Sequence, residues 1–145
     1  MYNTVLVPLD GSERAETILA HVQNIAQHYQ ARVIFLSVLE HPHTVVAPDG
    51  IYIPSEQIIA QHHKELEDYL KMQQARFADL GINVEIRIEY GRVVDEICNT
   101  AKEVNADLVA LASHGRTGLA QVFYGSVAAA ILHRIDRPLL LVRAE

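Results

Sequence analysis

Five short runs rich in Val, Ile and Leu alternate along this chain with segments of helical periodicity. The runs occupy residues 4–9, 32–39, 83–90, 107–113 and 138–143. Most of them are apolar throughout, which is typical of strands buried on both faces of a parallel sheet. The third alternates instead, with Val84, Ile86 and Ile88 on one side, and this pattern predicts a half-exposed edge strand.

Four segments between and after these runs have the apolar spacing of amphipathic helices. They span residues 13–29, 55–80 and 93–105, and a last segment begins near Gly125 and Ser126 and ends before Pro138. Ser12 is a predicted N-cap of the first helix, and Gly81 is a predicted C′ residue of the second. The alternation predicts an α/β fold, a parallel sheet with helices on both faces. Ligands of such sheets bind beyond the carboxyl ends of the strands, where the strand order switches.

Composition narrows the class of protein further. At 145 residues we expect one domain over residues 1–145. The net charge of −6 and the lack of a Lys/Arg cluster argue against nucleic acid, whose phosphates attract basic surfaces. No apolar run approaches the ~18 residues of a membrane span, and the N-terminus lacks the basic region of a signal peptide. We therefore expect a cytoplasmic protein with no membrane partner, and the single cysteine, Cys98, agrees with this because it allows no internal disulfide.

A glycine-rich segment follows the fourth predicted strand. Gly115, Gly118 and Gly125 fall within eleven residues, and Gly125 and Ser126 stand where the last helix begins. Bare backbone lets a ligand approach closely, and the first turn of a helix offers free N–H groups to an anion. Arg116 adds a cation for phosphate oxygens, and Ser126 either caps the helix or turns its hydroxyl to the phosphate. The segment predicts a phosphate site or, since glycines often follow strands, an ordinary turn.

The turn after the first strand lacks the common nucleotide motifs. It reads D-G-S-E-R-A instead of G-x-G-x-x-G, and the chain holds no G-x-x-x-x-G-K-[ST] segment. Asp10, Gly11 and Ser12 therefore form either a local turn and helix cap or part of a different ligand site.

Two other segments are candidates for movement or association. Residues 40–54 hold three of the five prolines and form a long connection, either a lid or an ordinary surface excursion or dimer contact. The final strand, 138–143, predicts a sheet edge that a second copy of the chain covers in a homodimer. The alternative is an edge protected by Pro138, Arg137 and Arg143.

The chain resembles the universal stress protein family over essentially its whole length. The matching segments are residues 5–19, 33–40, 90–119 and 124–143, which begin VLVPLDGS, VIFLSVLE, YGRVVDEI and YGSVAAAI. The ATP-binding branch of that family has the motif G-x-x-G-(nine residues)-G-[ST], and this chain has A-S-H-G-(nine residues)-G-S. Ala112 replaces the first glycine, a change that is tolerable where φ stays negative and costly at positive φ or close approach.

The resemblance implies a five-stranded parallel sheet of the adenine-nucleotide alpha-hydrolase-like (Rossmann-like) fold, with strand order 3-2-1-4-5. It also implies an adenine-nucleotide site, for ATP or alternatively ADP or AMP, with Mg²⁺ carried by the nucleotide. Asp10 would accept hydrogen bonds from the nucleoside, and Val38 would face adenine. The remaining implied residues are Pro8, Leu9 and Leu111 in the cleft, Ala112 in the motif, Gly115, Arg116, Gly125, Ser126 and Val127 around the phosphates, and His114 nearby.

The resemblance further implies a dimeric sensor or regulator in stress response, acting with an unknown protein partner and at most slow ATP hydrolysis. A nucleotide-independent dimeric scaffold and an enzyme acting at the nucleotide α-phosphate are the alternatives. A Ser/His/Asp triad can be assembled on paper from Ser113 or Ser126, His114 and Asp10. Because the chain lacks G-x-S-x-G, we expect no catalytic residue.

The eight histidines raise the question of a metal site. His62 and His63 are adjacent on a predicted helix and point about 100° apart, so they cannot easily share one ion. The spacing of a closed four-ligand site is missing, and we expect no metal bound by protein side chains alone. Cys98 falls on the apolar side of its helix, which predicts a buried core thiol.

Overall fold

The computed structural model describes residues 1–40, 45–52, 56–114 and 125–144. In chain order these residues form β1 (Thr4–Pro8), α1 (Glu13–Glu16), α2 (Leu19–Tyr29), β2 (Arg32–Leu39), β3 (Val45–Ala47), β4 (Gly50–Tyr52), α3 (Glu56–Ala78), β5 (Val84–Tyr90), α4 (Val93–Glu103), β6 (Leu108–His114), α5 (Ser126–Arg134) and β7 (Leu139–Ala144). All five predicted strands are present, and each end lies within one residue of its predicted position.

The five predicted strands form one parallel sheet in the order β5-β2-β1-β6-β7. Counted along the chain among themselves, this order is 3-2-1-4-5, so the predicted α/β fold and strand order are confirmed. The alternating strand β5 lies at one edge, and β7 lies at the other. The order switches between the central strands β1 and β6, which is where such folds bind ligands.

Both faces of the sheet are covered, which explains why most of its strands are almost continuously apolar. On one face, Val7 and Phe35 pack with residues of α2 and α3, and the rings of Phe35 and Phe77 meet edge to face with centroids 5.1 Å apart. On the other face, Leu6 and Leu36 pack with residues of α4 and α5. Cys98 of α4 is buried, as predicted.

The first predicted helix, residues 13–29, is divided into α1 and α2. At the junction the Thr17 and Ile18 amides donate to carbonyl oxygens three residues back, at 3.3 and 3.5 Å. The Thr17 hydroxyl also donates to the Arg14 carbonyl oxygen, at 2.8 Å. A threonine that bonds the preceding turn in this way competes with the regular helical pattern. The division leaves α1 with four residues.

Residues 40–54 contain an antiparallel hairpin of β3 and β4, which the sequence interpretation missed. Pro48 and Asp49 form its turn, and Gly50 follows with φ of +141°. A Pro-Asp-Gly turn between two short apolar runs is a hairpin signal that was present in the sequence. Residues 41–44 and 53–55 lie outside the described residues, and the lid and dimer-contact interpretations of this segment stay predictions.

The long helix α3 has 23 residues and ends in the way Gly81 predicts. The Gly81 amide donates to the Ala78 carbonyl oxygen at 2.9 Å, and the Ile82 amide donates to that of Phe77 at 3.1 Å. This pair of bonds is the Schellman arrangement, and Gly81 has the left-handed φ of +76° that it requires. None of the helices in the described part of the chain combines the length and apolar character of a membrane span.

Candidate functional site

A cleft opens where the two central strands separate. The pairing between β1 and β6 covers Val5–Leu108 and Leu6–Val109. In contrast, β1 pairs with β2 as far as Pro8–Leu36, and β6 pairs with β7 as far as His114–Ala144. Pro8 has no N–H to donate to a neighbouring strand. The gap therefore lies at the carboxyl end of the sheet, at its switch point.

The cleft encloses about 830 Å³, part of it open to solvent. Nine of the predicted site residues line it: Pro8, Leu9, Asp10, Val38, Leu111, Ala112, Gly125, Ser126 and Val127. Gly115 and Arg116 lie outside the described residues, as does the side chain of His114, whose backbone ends β6. The structure brings the nine together, while their roles toward a ligand stay predictions.

Six further residues line the cleft that sequence reasoning did not assign to it: Ala15, Leu36, Val93, Ile97, Ser113 and Ala128. Leu36 stands two residues before Val38 on the same strand and so on the same face, which was a usable signal. Val93 and Ile97 come from α4, whose apolar face was recognised only as core. Their contribution depends on how α4 packs beside α5, and periodicity carries no information about that packing.

Asp10 lines the cleft and is held in a turn. Its Oδ1 accepts hydrogen bonds from the Ser12 amide at 2.9 Å and the Ser12 hydroxyl at 2.5 Å. The Ser12 hydroxyl in turn accepts from the Ala15 amide at 3.2 Å, so Ser12 is the predicted N-cap of α1. Gly11 completes the turn with φ of +85°, a left-handed value that favours glycine. Within the described residues no hydrogen bond is recorded for Asp10 Oδ2, which leaves one carboxylate oxygen for a ligand.

The N-terminus of α5 also lines the cleft. Gly125 is the N-cap, with no side-chain cap bond, and Ser126 is the first helical residue, so the expectation that Ser126 caps this helix is wrong. The first amides of a helix have no partner within it and carry its positive dipole end. Gly125 has φ of −46°, which any residue can adopt. Its lack of a side chain matters for close approach to the backbone and not for backbone conformation.

Ala112 does not strain the backbone. It lies in β6 and pairs with Val142 of β7. Among the described residues the non-glycine residues with positive φ are Gln30 and Asn105, so Ala112 has an ordinary strand conformation. The conformational objection to alanine at this motif position therefore does not apply.

Two buried serines near the cleft differ in their hydrogen bonds. Ser37 is 1% exposed and donates to the Leu9 carbonyl oxygen at 2.7 Å. Ser113 is 2% exposed, and no bond to its hydroxyl is recorded within the described residues. Because no fully buried side-chain oxygen there lacks a partner, the Ser113 Oγ keeps access to the cleft. It stands two residues after Leu111 on β6 and so faces the same side of the sheet, which α4 and α5 cover.

The histidines of α3 do not form part of this cleft. His63 Nδ1 lies 3.7 Å from a Glu67 carboxylate oxygen, and the His63 ring stacks on Tyr90 with centroids 5.9 Å apart. Within the residues that the structure describes, no three His, Cys, Asp or Glu side chains are grouped as metal ligands. As for the Ser/His/Asp triad considered in the sequence analysis, the recorded hydrogen bonds of the Asp10 carboxylate go to Ser12.

A parallel sheet covered on both faces, with a cleft at its switch point, defines a Rossmann-like α/β protein. The chain belongs to the universal stress protein family, whose sequence model matches residues 1–143. The universal stress protein YxiE of Bacillus subtilis is 30% identical over 148 residues, which cover 99% of this chain and 100% of YxiE.

Solved structures agree with this assignment. Universal stress protein UspA from Lactobacillus plantarum has the same fold, with a TM-score of 0.79, 22% identity and 98% of each chain covered. A universal stress protein in complex with cAMP has a TM-score of 0.63 and 26% identity, and the match covers 99% of this chain and 98% of that one. One relative of this chain is thus known with a cyclic adenine nucleotide bound.

Proposed function

We propose that this chain binds an adenine nucleotide, with ATP as the first candidate, in the cleft between β1 and β6. The observation that carries the proposal is that one mainly apolar cleft is lined both by Asp10, with its carboxylate, and by the first residues of α5, whose amides have no partner within the helix. A nucleoside phosphate has the matching chemistry, with ribose hydroxyls to donate to a carboxylate and negatively charged phosphates to accept from amides. The cAMP-bound relative supports the same class of ligand.

The cleft residues suggest how the nucleotide is held. Val38 and Leu111 offer adenine an apolar wall, and the free oxygen of Asp10 accepts from ribose hydroxyls, as carboxylates do in dinucleotide folds. The amides of Ser126 and Val127 face the phosphates, and the Ser113 hydroxyl adds a donor on the same side of the sheet. Gly115, Arg116 and His114 complete the predicted phosphate site.

We assign the protein a binding role in stress response, as a cytoplasmic sensor or regulator made of one domain. Ligand occupancy changes a protein's behaviour only where two conformations bind the ligand with different affinity. Mg²⁺ would arrive with the nucleotide, and no residue is assigned a catalytic part. The nucleotide-independent scaffold loses the conformational part of its argument, because Ala112 adopts a backbone conformation that alanine tolerates.

Calorimetric titration with ATP, ADP and AMP, each with and without Mg²⁺, tests the proposal. We expect micromolar ATP binding and a rise in melting temperature, since ligand at 100 times its Kd adds about 2.7 kcal/mol to the free energy of unfolding. Absence of heat and of any thermal shift at millimolar nucleotide would favour the scaffold. Product analysis after long incubation checks the enzyme alternative, which requires turnover that an Asp10 substitution removes.

We also propose that two chains associate through β7. This strand lies at the sheet edge, and its residues Leu139–Val142 are only half-buried within one chain. Pairing with the same strand of a second copy would cover its open backbone groups and form a two-fold interface. Sedimentation equilibrium at micromolar concentration should give twice the mass of one chain. A single-chain mass at all accessible concentrations would contradict this association.

A further inference from the structure

A polar cluster joins α1 to α3 behind the turn that holds Asp10. The Glu16 Oε1 accepts a hydrogen bond from the Tyr69 hydroxyl at 2.9 Å and another from the Gln73 Nε2 at 3.1 Å. Arg76 donates to the Gln73 Oε1 at 3.0 Å. Gln73 is 1% exposed, so an unbonded amide there would carry the full cost of burying a polar group.

The chemistry of these groups fixes the direction of every bond in the cluster. A guanidinium only donates and a carboxylate only accepts, so the Gln73 amide must point its oxygen at Arg76 and its nitrogen at Glu16. Burial and the Glu16 carboxylate raise the pKa of the Tyr69 hydroxyl, which keeps its proton and remains a donor. The cluster therefore holds the Glu16 carboxylate in one place.

Glu16 is the last residue of α1, and α1 depends on support from outside. A helix of four residues cannot sustain itself, because forming its first turn fixes several residues for one hydrogen bond. From the cap of α1 the connection continues to the site, since Ser12 bonds both the Ala15 amide and the Asp10 carboxylate. Leu66 of α3 also approaches the turn, with its Cδ2 3.9 Å from where a Cβ on Gly11 would lie.

We propose that Tyr69 and Gln73 are positioning residues for Asp10: through Glu16 and α1 they hold the Asp10–Ser12 turn in the geometry that receives the nucleoside. This inference rests on the proposed function. It makes α3, which does not line the cleft within the described residues, a determinant of nucleoside affinity. The part of the cleft that receives the phosphates, at the N-terminus of α5, does not depend on the cluster.

Tyr69→Phe removes the donor with the least change in shape. We expect its Kd for ATP to rise about fivefold, the effect of one hydrogen bond, and its Kd for inorganic triphosphate to stay the same. Asp10→Ala should weaken ATP binding at least as much, and the double variant should be no weaker than Asp10→Ala, because both changes act on one contact. Tyr29→Phe, on the exposed surface of α2, is the matched control and should bind as the unaltered chain does.

Two results overturn the positioning role in the ligand experiments. One is an equal loss of triphosphate binding, which indicates general damage to the site. The other is an additive loss in the double variant, which indicates independent effects of Tyr69 and Asp10.

Amide hydrogen exchange of the ligand-free protein separates failure of this inference from failure of the proposed function. In Tyr69→Phe the amides of Ser12 and Ala15 should exchange at least about fivefold faster, while that of Ala129 in α5 stays the same. If exchange is faster but the chain does not bind ATP, the inference that Tyr69 positions the turn stands and the proposed nucleotide-binding function fails. Unchanged exchange at Ser12 and Ala15 refutes the positioning role whatever the chain binds.

Discussion

We expect Gly125→Asp to weaken nucleotide binding by about two to three orders of magnitude while the protein remains folded. The φ and ψ of Gly125, −46° and 154°, are open to aspartate, and aspartate is a favoured N-cap that adds about 0.5 kcal/mol to helix stability. The same carboxylate would occupy the free amides of α5 and repel the phosphates. Two unit charges 4 Å apart repel by about 4 kcal/mol at an effective dielectric constant of about 20, so the Kd should rise about 100- to 1,000-fold.

Gly125→Asn is the matched control for this prediction. Asparagine has nearly the shape of aspartate and also caps helices, but it brings no charge. Its Kd should rise far less, so that the difference between the two variants measures electrostatic repulsion alone. Calorimetry gives both affinities, and urea unfolding shows whether the aspartate variant is as stable as the unaltered chain. Equal affinities in the two variants would mean that no anion binds at this helix end.

The strands were predictable because burial on both faces leaves a direct mark in the sequence. A run such as residues 32–39 is almost continuously apolar because α2 and α3 cover one side of β2 while α4 and α5 cover the other. The edge position of β5 was visible for the opposite reason, since one side of that strand keeps charged residues such as Glu85 and Arg87. Strand order followed from the family resemblance.

The errors arose where local hydrogen bonds override periodicity. The apolar spacing of residues 13–29 continues through Thr17, yet the Thr17 hydroxyl bonds the Arg14 carbonyl and the helix divides there. The hairpin of β3 and β4 was missed because each strand has three residues, too few to show an alternating pattern. In both cases the deciding contact spans three or four residues and leaves the wider pattern of hydrophobicity unchanged.

The turn and helix-start residues of the candidate site were predictable from the sequence, and several of the apolar residues that line its walls were not. Asp10, Gly125 and Ser126 are conspicuous in sequence because turns and helix starts favour particular residues. Leu36, Val93 and Ile97 are ordinary core residues by type, and they line the cleft only because β1 and β6 separate beyond Leu6–Val109. Ser113 is likewise ordinary in sequence. Ser113 is distinguished by its burial and by the absence of a recorded hydrogen bond to its hydroxyl among the described residues, and only the coordinates show these.

Ser113 and Ser37 make a pair of predictions with opposite outcomes. Ser37→Ala leaves the Leu9 carbonyl oxygen without its 2.7 Å bond in a buried setting, and we expect a loss of about 1–3 kcal/mol in the free energy of unfolding. Ser113→Ala removes a hydroxyl that has no recorded partner among the described residues. Replacing the hydroxyl by a hydrogen atom breaks no recorded hydrogen bond, so stability should stay within about 0.5 kcal/mol or rise.

The same Ser113→Ala change should weaken ATP binding about 10-fold or more, because a hydrogen bond to a charged phosphate is worth about 1.5–3 kcal/mol. The loss should also appear with inorganic triphosphate, which reaches only the end of the cleft beside α5. Urea unfolding and calorimetry on both serine variants supply the four measurements. Unchanged triphosphate affinity in a folded Ser113→Ala protein would mean that this hydroxyl does not contact the ligand. Because its stability is expected to be intact, such a result could not be attributed to misfolding, and the phosphate contacts would have to come from the α5 amides.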